Sequence, residues 1–372
     1  MRILVDYRPA LRERTGVGEY IHQLVGAYTS VHPGEMTVFT SSWKDRVPGQ
    51  VATELHVPVI DRRIPVRVLN LLWHRIGWPP VETIAGPVDL VHSAHPLLIP
   101  ARRAAQVVTI HDLFFLTNAE HTRAEIRRDY PALAGLHARR AHAVITSTEH
   151  GRRLVSGRLG VADDRIYVCP PGAPTWRALG RSPNVPRDGY LLFIGTLEPR
   201  KNLGALLDAY LLLLDRMPAA PELILAGRAA AEAAQWLSRI TRPPLAGHVR
   251  YVGYVADQDR ERLYAGARVV VVPSLDEGFG LPALEAMAAG VPVVASNRGA
   301  LPEVVGAAGT LVDPHDIAAL AAALERIVSD DGAAAAAGAA GLGRARAFTW
   351  DAAAATLRRA YTDALARRRQ TP

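Results

Sequence analysis

Two glutamates, Glu277 and Glu285, enclose a run of glycines and a proline in the sequence DEGFGLPALEAMAAG. The apolar run RVVVVPS before it predicts a strand that ends at Ser274, while Pro282 and Gly290 predict the first turn and the end of a helix. Glu277 then lies in the connecting loop and Glu285 in the early part of the helix. Because a carboxylate accepts several hydrogen bonds, both acids suit the diols of sugars. The plainer alternative is a solvated loop acid and a surface helix residue.

The glycines of this loop and two bases elsewhere indicate an anionic ligand. Gly278 and Gly280 allow backbone amides to approach a ligand, in front of a helix N-terminus that favours negative charge. In GTLEPRKNL, Arg200 and Lys201 follow a predicted strand, and Asn202 is expected to cap the next helix. A planar guanidinium beside a point charge suits a diphosphate, although two solvated loop bases are the simpler interpretation. Lys201 is one of only two lysines in the chain, which favours a specific role.

Two segments of the first half also place polar groups at the ends of predicted strands. RTGVGEY contains Gly16 and Gly18, a G-x-G turn that supports close approach of a phosphate or sugar but lacks the third glycine of a dinucleotide site. TIHDLFFL places His111 and Asp112 where such a dyad could orient a hydroxyl or move a proton. A polar strand end is the alternative, and the sequence has no G-x-S-x-G nucleophile elbow.

The elements that must position these residues alternate between strands and helices. Short Val, Ile and Leu runs separated by helical segments are typical of parallel sheets covered on both faces. The stretch RSPNVPRDG at 181–189 predicts a linker, after which the alternation restarts. We therefore expect two doubly wound α/β domains, 1–183 and 189–349, with a ligand in the cleft between them. DGAAAAAGAAGLG (331–343) is expected to form a helix interrupted by glycines.

The composition is typical of a globular protein and favours one cellular compartment. The 372 residues are 49% hydrophobic and 21% charged, enough for two domains. Cys169 is the single cysteine, so no internal disulfide can form, and no zinc-type Cys/His spacing occurs. We expect no secretory signal in MRILVDYR and no membrane span, because the longest apolar run, LLDAYLLLL, is interrupted and too short. A cytoplasmic location is the resulting prediction.

The net positive charge comes entirely from the first half of the chain. Residues 1–188 hold 24 Lys or Arg and 17 Asp or Glu, whereas 189–372 hold 19 of each. A basic half suits nucleic acid, an anionic lipid surface or a phosphorylated substrate, and an arginine-rich solvated surface is the equally plain alternative. The stretch RIPVRVLNLLWHRIGWPP (63–80) mixes Arg, Trp and Leu, which fits peripheral contact with a membrane or a lipid-linked acceptor. An ordinary helix with buried aromatic residues is the favoured interpretation there.

Together these motifs resemble the retaining glycosyltransferases of family 4, which have the GT-B fold, and in particular its mannosyltransferase-like members. Residues 277–306 resemble the family's E-x7-E region, GTLEPRKNL its diphosphate-binding segment, and TGVGEY and HDLFFL its N-terminal segments. The resemblance implies an α/β fold of two Rossmann-like doubly wound domains facing each other across a cleft. The first would bind the acceptor and the second the nucleotide sugar, and 350–372 would form a helix that crosses back to the first domain.

The same resemblance implies a role for each matching residue. The catalytic set is Glu277, His111 and Asp112. The set that holds the donor diphosphate is Arg200, Lys201, Gly16 and Gly18. The set that holds the nucleotide and sugar is Glu285, Gly278, Phe279, Gly280, Leu281, Gly253 and Tyr254. Glu285 would hold the ribose hydroxyls and Glu277 hydroxyls of the donor sugar.

The family's chemistry needs no metal and no cofactor, and it retains the configuration of the transferred sugar. Fixed cations and a helix dipole would stabilise the departing diphosphate as a metal ion does elsewhere. No second carboxylate stands ready as a nucleophile, which favours a front-side route in which a phosphate oxygen takes the acceptor's proton. We expect mannose to pass from GDP-mannose to a glycan or glycolipid.

Several alternatives stay open. The donor could be a UDP- or dTDP-sugar that carries glucose, GlcNAc or rhamnose. A non-catalytic protein that binds sugar nucleotides or nucleic acid would use the basic half, but the acid pair would repel a phosphate backbone, so we expect no nucleic-acid partner. A sugar-phosphate epimerase, which can share this fold, would need further acids and a histidine arranged for proton chemistry on the ring.

Overall fold

The short Val-, Ile- and Leu-rich runs form buried strands, because a strand covered by helices on both faces needs apolar side chains on both. The computed structural model describes residues 1–11, 14, 16–117, 124–174, 176 and 188–370. The chain divides into two units: unit 1 is Met1–Gly172 with Thr349–Pro372, and unit 2 is Ala173–Phe348. Each unit is built on its own parallel sheet.

Unit 1 contains seven parallel strands in its described residues. The strands are β1 (Ile3–Asp6), β2 (Met36–Ser41), β3 (Val59–Arg62), β4 (Leu90–Ser93), β5 (Ala105–Thr109), β6 (Ala143–Thr146) and β7 (Ile166–Val168). The helices are α1 (Val17–Val31), α2 (Gly49–Leu55), α3 (Val66–Leu71), α4 (Val81–Ala85), α5 (Phe114–Thr117), α6 (Ala124–Arg140) and α7 (Glu149–Leu159). The strand order β3-β2-β1-β4-β5-β6-β7 reverses direction between β1 and β4, a switch point of the kind where ligands bind in open sheets.

Unit 2 contains six parallel strands. The strands are β8 (Tyr190–Ile194), β9 (Leu223–Ala226), β10 (Val249–Gly253), β11 (Ala267–Val272), β12 (Val293–Ser296) and β13 (Thr310–Val312). The helices are α8 (Leu203–Arg216), α9 (Ala234–Ile240), α10 (Asp257–Ala265), α11 (Leu281–Ala288), α12 (Leu301–Val305), α13 (Ile317–Ser329) and α14 (Asp331–Ala345). The order β10-β9-β8-β11-β12-β13 places the switch point of this sheet between β8 and β11.

The last helix, α15 (Trp350–Gln370), belongs to unit 1 although it follows unit 2 in sequence. Its apolar face lies in the same core cluster as β1 and α1, and includes Leu357 and Tyr361. The Tyr361 hydroxyl lies 2.7 Å from Nδ1 of His92 on β4, so a buried polar pair joins the helix to the middle of the sheet. Unit 1 is therefore assembled from two separate stretches of the chain.

Several sequence predictions differ from the structure in detail. The strands β3 and β13 and the helix α12 were not predicted, because each is short and none carries a strong apolar period. The segment 331–343 forms one continuous helix, α14, rather than an interrupted one. Most of the predicted linker 181–189 lies outside the described residues, as does residue 183, so the domain boundary there stays a prediction.

The aromatic stretch 63–80 is only partly the buried helix that we favoured. It forms α3 and a π-helical turn at Leu72–Ile76, and Trp73 is buried, whereas Trp78 is 57% exposed. None of the helices in the described part of the chain combines the length and the apolar content that a bilayer span requires.

Candidate active site

The loop after β11 buries Glu277 among three donors. Its carboxylate is fully surrounded at 5% exposure, so it is not a solvated loop acid. Lys201 Nζ lies 2.5 Å from Oε1, the Ser274 hydroxyl donates to the same oxygen over 2.8 Å, and Arg200 Nη1 lies 3.4 Å from Oε2. Because β8 and β11 are neighbours at the switch point, the turn after β8 and the loop after β11 meet at one edge of the sheet.

The turn that carries both cations is held against the β11 loop by backbone and side-chain hydrogen bonds. Arg200 and Lys201 lie in a 3₁₀ turn, and the Arg200 carbonyl accepts from the Leu275 amide over 2.8 Å. Asn202 occupies the N-cap position of α8, but its side chain does not cap the helix as predicted. Its conformation is left-handed (φ 55°), and Nδ2 donates instead to the carbonyls of Pro273 and Pro314, which fixes the turn from the side.

Charge balance in this cluster keeps Glu277 ionised. Burial alone would raise its pKa, but Lys201 and Arg200, together with the hydrogen bonds from Lys201 and Ser274, outweigh burial and hold the pKa below its ordinary value. Arg200 also contacts Glu198 Oε1 at 3.0 Å, so the two cations face two carboxylates. The two cations that we predicted to bind the diphosphate are thus already neutralised by acids of the chain itself. A bound diphosphate would have to share these cations with those acids.

The second acid, Glu285, lies in the middle of α11 and is also buried, at 7% exposure. The Tyr264 hydroxyl donates to Oε2 over 2.7 Å, and Arg260 Nη1 lies 3.1 Å from Oε1. Burial and the neighbouring Glu285 carboxylate raise the pKa of Tyr264 well above its ordinary value, so Tyr264 remains a donor. Trp176 packs against the Tyr264 ring at 5.1 Å. Glu285 is therefore an anchored carboxylate rather than a surface helix residue.

Sequence reasoning missed both partners of Glu285, although a signal for them exists. Arg260 and Tyr264 are four residues apart in DRERLYAGA, so they lie on one face of α10. A base and a phenol at that spacing, on the helix that precedes β11, mark a face that can hold a carboxylate.

Backbone geometry around α11 agrees with the predicted helix ends and adds one unpredicted glycine. Pro282 lies in the first turn, and Gly280 precedes the helix with φ 96°, where a Cβ would lie 2.6 Å from Leu301 Cδ2. The Phe279 ring packs into the core against Phe348. Gly299 was not predicted: its φ is 60°, and a Cβ there would lie 2.6 Å from the Glu277 backbone nitrogen. The loop after β12 thus closes on the backbone of Glu277.

The ends of β9 and β10 bring the remaining predicted residues of unit 2 to the same edge. The Gly227 amide donates to the Gly253 carbonyl over 2.7 Å, and Gly253 has φ 75°. Tyr254 is half-exposed, and the Arg228 guanidinium carbon lies 5.7 Å from the centroid of its ring. This arrangement leaves an aromatic side chain at the carboxyl edge, as a base-flanking role would require.

The predicted residues of unit 1 lie at the carboxyl ends of β1 and β5. Gly16 precedes α1 with φ 43°, and at Gly18 a Cβ would lie 2.8 Å from the Pro9 carbonyl oxygen, so packing alone explains the second glycine. Asp112 accepts from the Phe114 amide over 3.2 Å, a local turn contact.

His111 is held as a neutral imidazole. Burial lowers its pKa to about 4, against an opposing effect of Asp112, and its ring packs edge-on against Tyr20 at 5.3 Å. Nε2 is buried and makes no hydrogen bond within the described residues, which leaves a nitrogen for a ligand. Of the described residues, no group of three or more His, Cys, Asp or Glu is placed to hold a metal ion.

Comparison with known proteins places the chain in a family. A family model described as Glycosyltransferase Family 4 matches residues 14–177, and one described as Glycosyl transferases group 1 matches residues 188–330. The O-antigen chain mannosyltransferase B of Escherichia coli is 33% identical over 375 residues, covering 94% of this chain and 97% of that protein. The chain belongs to glycosyltransferase family 4. The predicted family and the predicted hexosyltransferase activity are both confirmed.

Solved structures confirm the fold of this glycosyltransferase. Sucrose-phosphate synthase from Thermosynechococcus elongatus matches with a TM-score of 0.79 at 20% identity, over 99% of this chain and all of that one. Anabaena Alr3699/HepE, in complex with UDP and glucose, matches with a TM-score of 0.71 at 21% identity, over 97% of this chain and 99% of that one. At these identities the likeness concerns the GT-B fold of two Rossmann-like domains.

Proposed function

We propose that this glycosyltransferase moves mannose from GDP-mannose to a glycan or glycolipid acceptor, with retention of configuration. The observation that carries the proposal is the cluster of Glu277, Lys201 and Arg200 at the switch point of unit 2. The E. coli relative is an O-antigen chain mannosyltransferase, which supports the choice of sugar. The base is the least constrained part, since Alr3699/HepE was solved with UDP.

In this proposal the cations and acids of the cluster exchange partners when the donor binds. The diphosphate brings negative charge that Lys201 and Arg200 neutralise, and Glu277 turns part of its hydrogen-bonding capacity to the sugar hydroxyls. A carboxylate has about four lone-pair sites, so Glu277 can keep the Ser274 contact and still accept from a diol. With the donor bound, Lys201 and Arg200 would thus donate to the diphosphate on one side of the site, and Glu277 would accept from the sugar on the other.

Glu285 would hold the ribose. Tyr264 donates to one of its oxygens and Arg260 lies 3.1 Å from the other, and a carboxylate with about four lone-pair sites can also accept from ribose hydroxyls. Because the carboxylate is held from both sides, little conformational freedom would be lost on binding. Gly253 and Tyr254 would lie beside the base.

The proposed reaction takes place on one face of the sugar. The bond between the anomeric carbon and the diphosphate oxygen breaks as an acceptor hydroxyl oxygen bonds to the same face, and the departing phosphate oxygen takes the hydroxyl proton. Lys201 and Arg200 stabilise the charge that develops on the diphosphate. The neutral His111 and the α1 turn at Gly16 and Gly18 are assigned to the donor sugar and diphosphate, and Asp112 to the orientation of His111.

A panel of donors tests the proposal directly. Release of nucleoside diphosphate and transfer of label would be measured with GDP-mannose, UDP-glucose, UDP-GlcNAc and dTDP-rhamnose, with and without EDTA. We expect GDP-mannose to give the highest kcat/KM and EDTA to leave it unchanged. Transfer from another donor alone would overturn the assignment of mannose, and a strict requirement for added Mg²⁺ would overturn the metal-free clamp.

The role of Glu277 is tested separately from donor identity. In Glu277→Gln we expect turnover to fall by more than about 100-fold, a typical loss when a group acting on the transition state is removed, while GDP still binds. Glu325→Gln is the matched control, because Glu325 lies in an exposed pair with Arg216 on another helix. Equal losses of turnover and of GDP affinity would contradict the assigned role.

We also propose that unit 1 contacts an anionic membrane surface as a peripheral protein of the cytoplasmic face. The support is the stretch between Asp61 and Glu82, which has four arginines and no acid and exposes Leu71, Ile76 and Trp78. Trp78→Ser should weaken sedimentation with phosphatidylglycerol vesicles, whereas Trp43→Ser, at another exposed tryptophan of unit 1, should not. Equal effects of both substitutions, or none, would refute this surface.

A further inference from the structure

A polar pocket lies in unit 1, at the edge of the sheet opposite to His111. It has a cavity volume of about 480 Å³, within the range of small-molecule sites. Its walls come from the segments that lead into β5, β6 and β7 and from the last turn of α15. Because the strands are parallel, their amino ends share one edge, whereas His111 follows the carboxyl end of β5. Within unit 1, the pocket is therefore separate from the residues assigned to the donor.

The pocket has a strong excess of positive charge. Its basic lining residues are Arg102, Arg140, Arg165, Arg367, Arg368 and His142. Within the described residues, its lining contains no aspartate or glutamate. Five guanidinium groups around one concave surface of this size favour an anion with more than one charge.

Backbone carbonyls hold several of these guanidiniums in place without neutralising them. Arg165 Nη1 donates to the carbonyls of Arg139 and Ala141 over 2.8 and 3.3 Å. Arg368 Nη2 donates to the Arg102 carbonyl over 3.2 Å, and Arg367 Nη1 to the His142 carbonyl over 3.3 Å. A carbonyl is a neutral acceptor, so each contact orders the side chain and leaves its full charge. Such preordering lowers the entropy that binding an anion would cost.

The acids nearest the pocket are engaged elsewhere or exposed. Glu82 accepts from the backbone amides of Arg102, Arg103 and Ala104 over 2.9 to 3.1 Å, which shapes the loop before β5. Asp164 lies 3.4 Å from Arg367 Nη2, but its side chain is 71% exposed, where an ion pair is screened by solvent. A third acid, Asp363, accepts from the Tyr167 hydroxyl over 2.6 Å and also acts on the charge of Arg367. These three acids thus face five arginines.

His142 adds a neutral donor to the set. Its Nδ1 accepts from the Gln106 amide over 3.1 Å, so the proton of the neutral ring resides on Nε2. Burial and the charges of Arg368, Arg165 and Arg367 lower the pKa of His142. A bound anion would offset those charges and raise it again.

We propose that this pocket binds a multiply charged anion that carries phosphate, at a site separate from that of the donor. The chemistry is the same whether the phosphate is free or is the headgroup of a lipid, and the experiment distinguishes the two. If the arginines served only to cap the carbonyls at the end of α6 and in the loop before β5, the pocket would bind no such anion.

The test is calorimetric titration with inorganic pyrophosphate, comparing the wild-type chain with Arg140→Gln/Arg368→Gln. We expect the variant to bind pyrophosphate at least about tenfold more weakly, as expected from losing two charge-assisted contacts. The charge-matched control is Arg326→Gln/Arg346→Gln, two exposed arginines of unit 2, which should bind as the wild type does. An NMR titration of wild-type His142 should show its pKa rise when pyrophosphate is added. Equal affinities of the wild type and the pocket variant would exclude free phosphate as the ligand, and the site would then stand or fall on the lipid arm below.

The donor site also has affinity for phosphate if the proposed function is right, so the titrations are repeated in Lys201→Met. Binding that depends on Arg140 and Arg368 but not on Lys201 supports the pocket and counts against the donor clamp. Binding that depends on Lys201 alone does the reverse. Sedimentation with cardiolipin vesicles, whose headgroup carries two phosphates, is the lipid arm: a loss specific to the pocket variant, without pyrophosphate binding, assigns a lipid headgroup. No dependence on the pocket arginines in either arm refutes the site.

Discussion

Replacing Lys201 with methionine would test the electrostatic core of the candidate site. Methionine keeps most of the length of the side chain but removes Nζ, which lies 2.5 Å from Glu277 Oε1. Glu277 would keep Ser274 at 2.8 Å and Arg200 at 3.4 Å, but Arg200 is shared with Glu198. A buried carboxylate would thus lose its nearest cation while most of its desolvation remains.

The size of the effect follows from that geometry. Removing one partner of a buried ion pair destabilises a protein by about 3–5 kcal/mol, and a hydrogen bond to a charged group contributes about 1.5–3 kcal/mol. Because two donors to Glu277 remain and the Lys201 side chain is 12% exposed, we expect the lower end, about 2–3 kcal/mol. Native-state hydrogen exchange of the β11 amides would measure this loss, since those amides report the opening of unit 2.

A double-mutant cycle with Glu277→Gln isolates the pair. Once the carboxylate is neutral, Lys201→Met should cost much less than in the wild-type background. If it costs the same in both backgrounds, the two side chains are not coupled and the electrostatic account of the site is wrong.

The pH dependence of the stability difference between the wild type and Lys201→Met is a further test, because the charge state of Glu277 predicts its direction. In the wild type the pKa of Glu277 is held below its ordinary value, so its charge contributes stability above the unfolded pKa, and this is lost as pH falls through the lower folded value. In Lys201→Met burial pushes the pKa up. The difference in stability between the two proteins should therefore shrink as pH falls through the ordinary range for glutamate. A difference that grows on acidification would contradict the assigned charge state.

Three further predictions concern other residues of the two units. Gly299→Ala should lower both the melting temperature and turnover, because its Cβ would lie 2.6 Å from the Glu277 backbone and the residue has a left-handed conformation. Gly343→Ala, which has open space around it, should lower neither, and equal melting temperatures and rates for the two variants would refute the packing argument. Tyr264→Phe removes a hydrogen bond of about 1.5–3 kcal/mol to the Glu285 carboxylate and should weaken binding of the nucleoside diphosphate by about 10-fold or more. Tyr167→Phe in unit 1 is the control, and unchanged affinity in calorimetry would count against the ribose role. An NMR titration should give His111 a pKa of about 4 rather than 6.5, and a value near 6.5 would show that the ring is not buried as described. Because the unfolded chain binds the His111 proton more readily than the folded chain, the protein should lose stability as pH falls from about 6.5 to about 4.

The fold could be predicted from sequence because local and global signals agree. In β11 and α11 the run of valines, Pro282 and Gly290 specify the strand, the first turn and the end of the helix, and the structure has each of them. Short elements such as β13 and α12 were not predicted, because three to five residues show too little hydrophobic periodicity to be distinguished from a loop.

The candidate site could be predicted only for residues whose type and position both signal chemistry. Glu277, Lys201 and Arg200 follow strands and are charged, so their convergence was foreseeable once the strands were placed next to each other. Gly299 could not be found, since its role depends on a backbone contact between the loops after β11 and β12. The side chain of Asn202 was misassigned for the same reason: the competing carbonyls, Pro273 and Pro314, come from distant parts of the chain.

The position of α15 has a consequence for synthesis. Residues 1–172 leave the ribosome long before Leu357 and Tyr361, which are fully buried in the core of unit 1. Until then the surface that α15 will cover, including the His92 ring, is open to water and to other chains. Unit 1 therefore cannot complete its core until all of unit 2 has been translated. We expect a fragment that stops at residue 172 to aggregate rather than to behave as an independent domain.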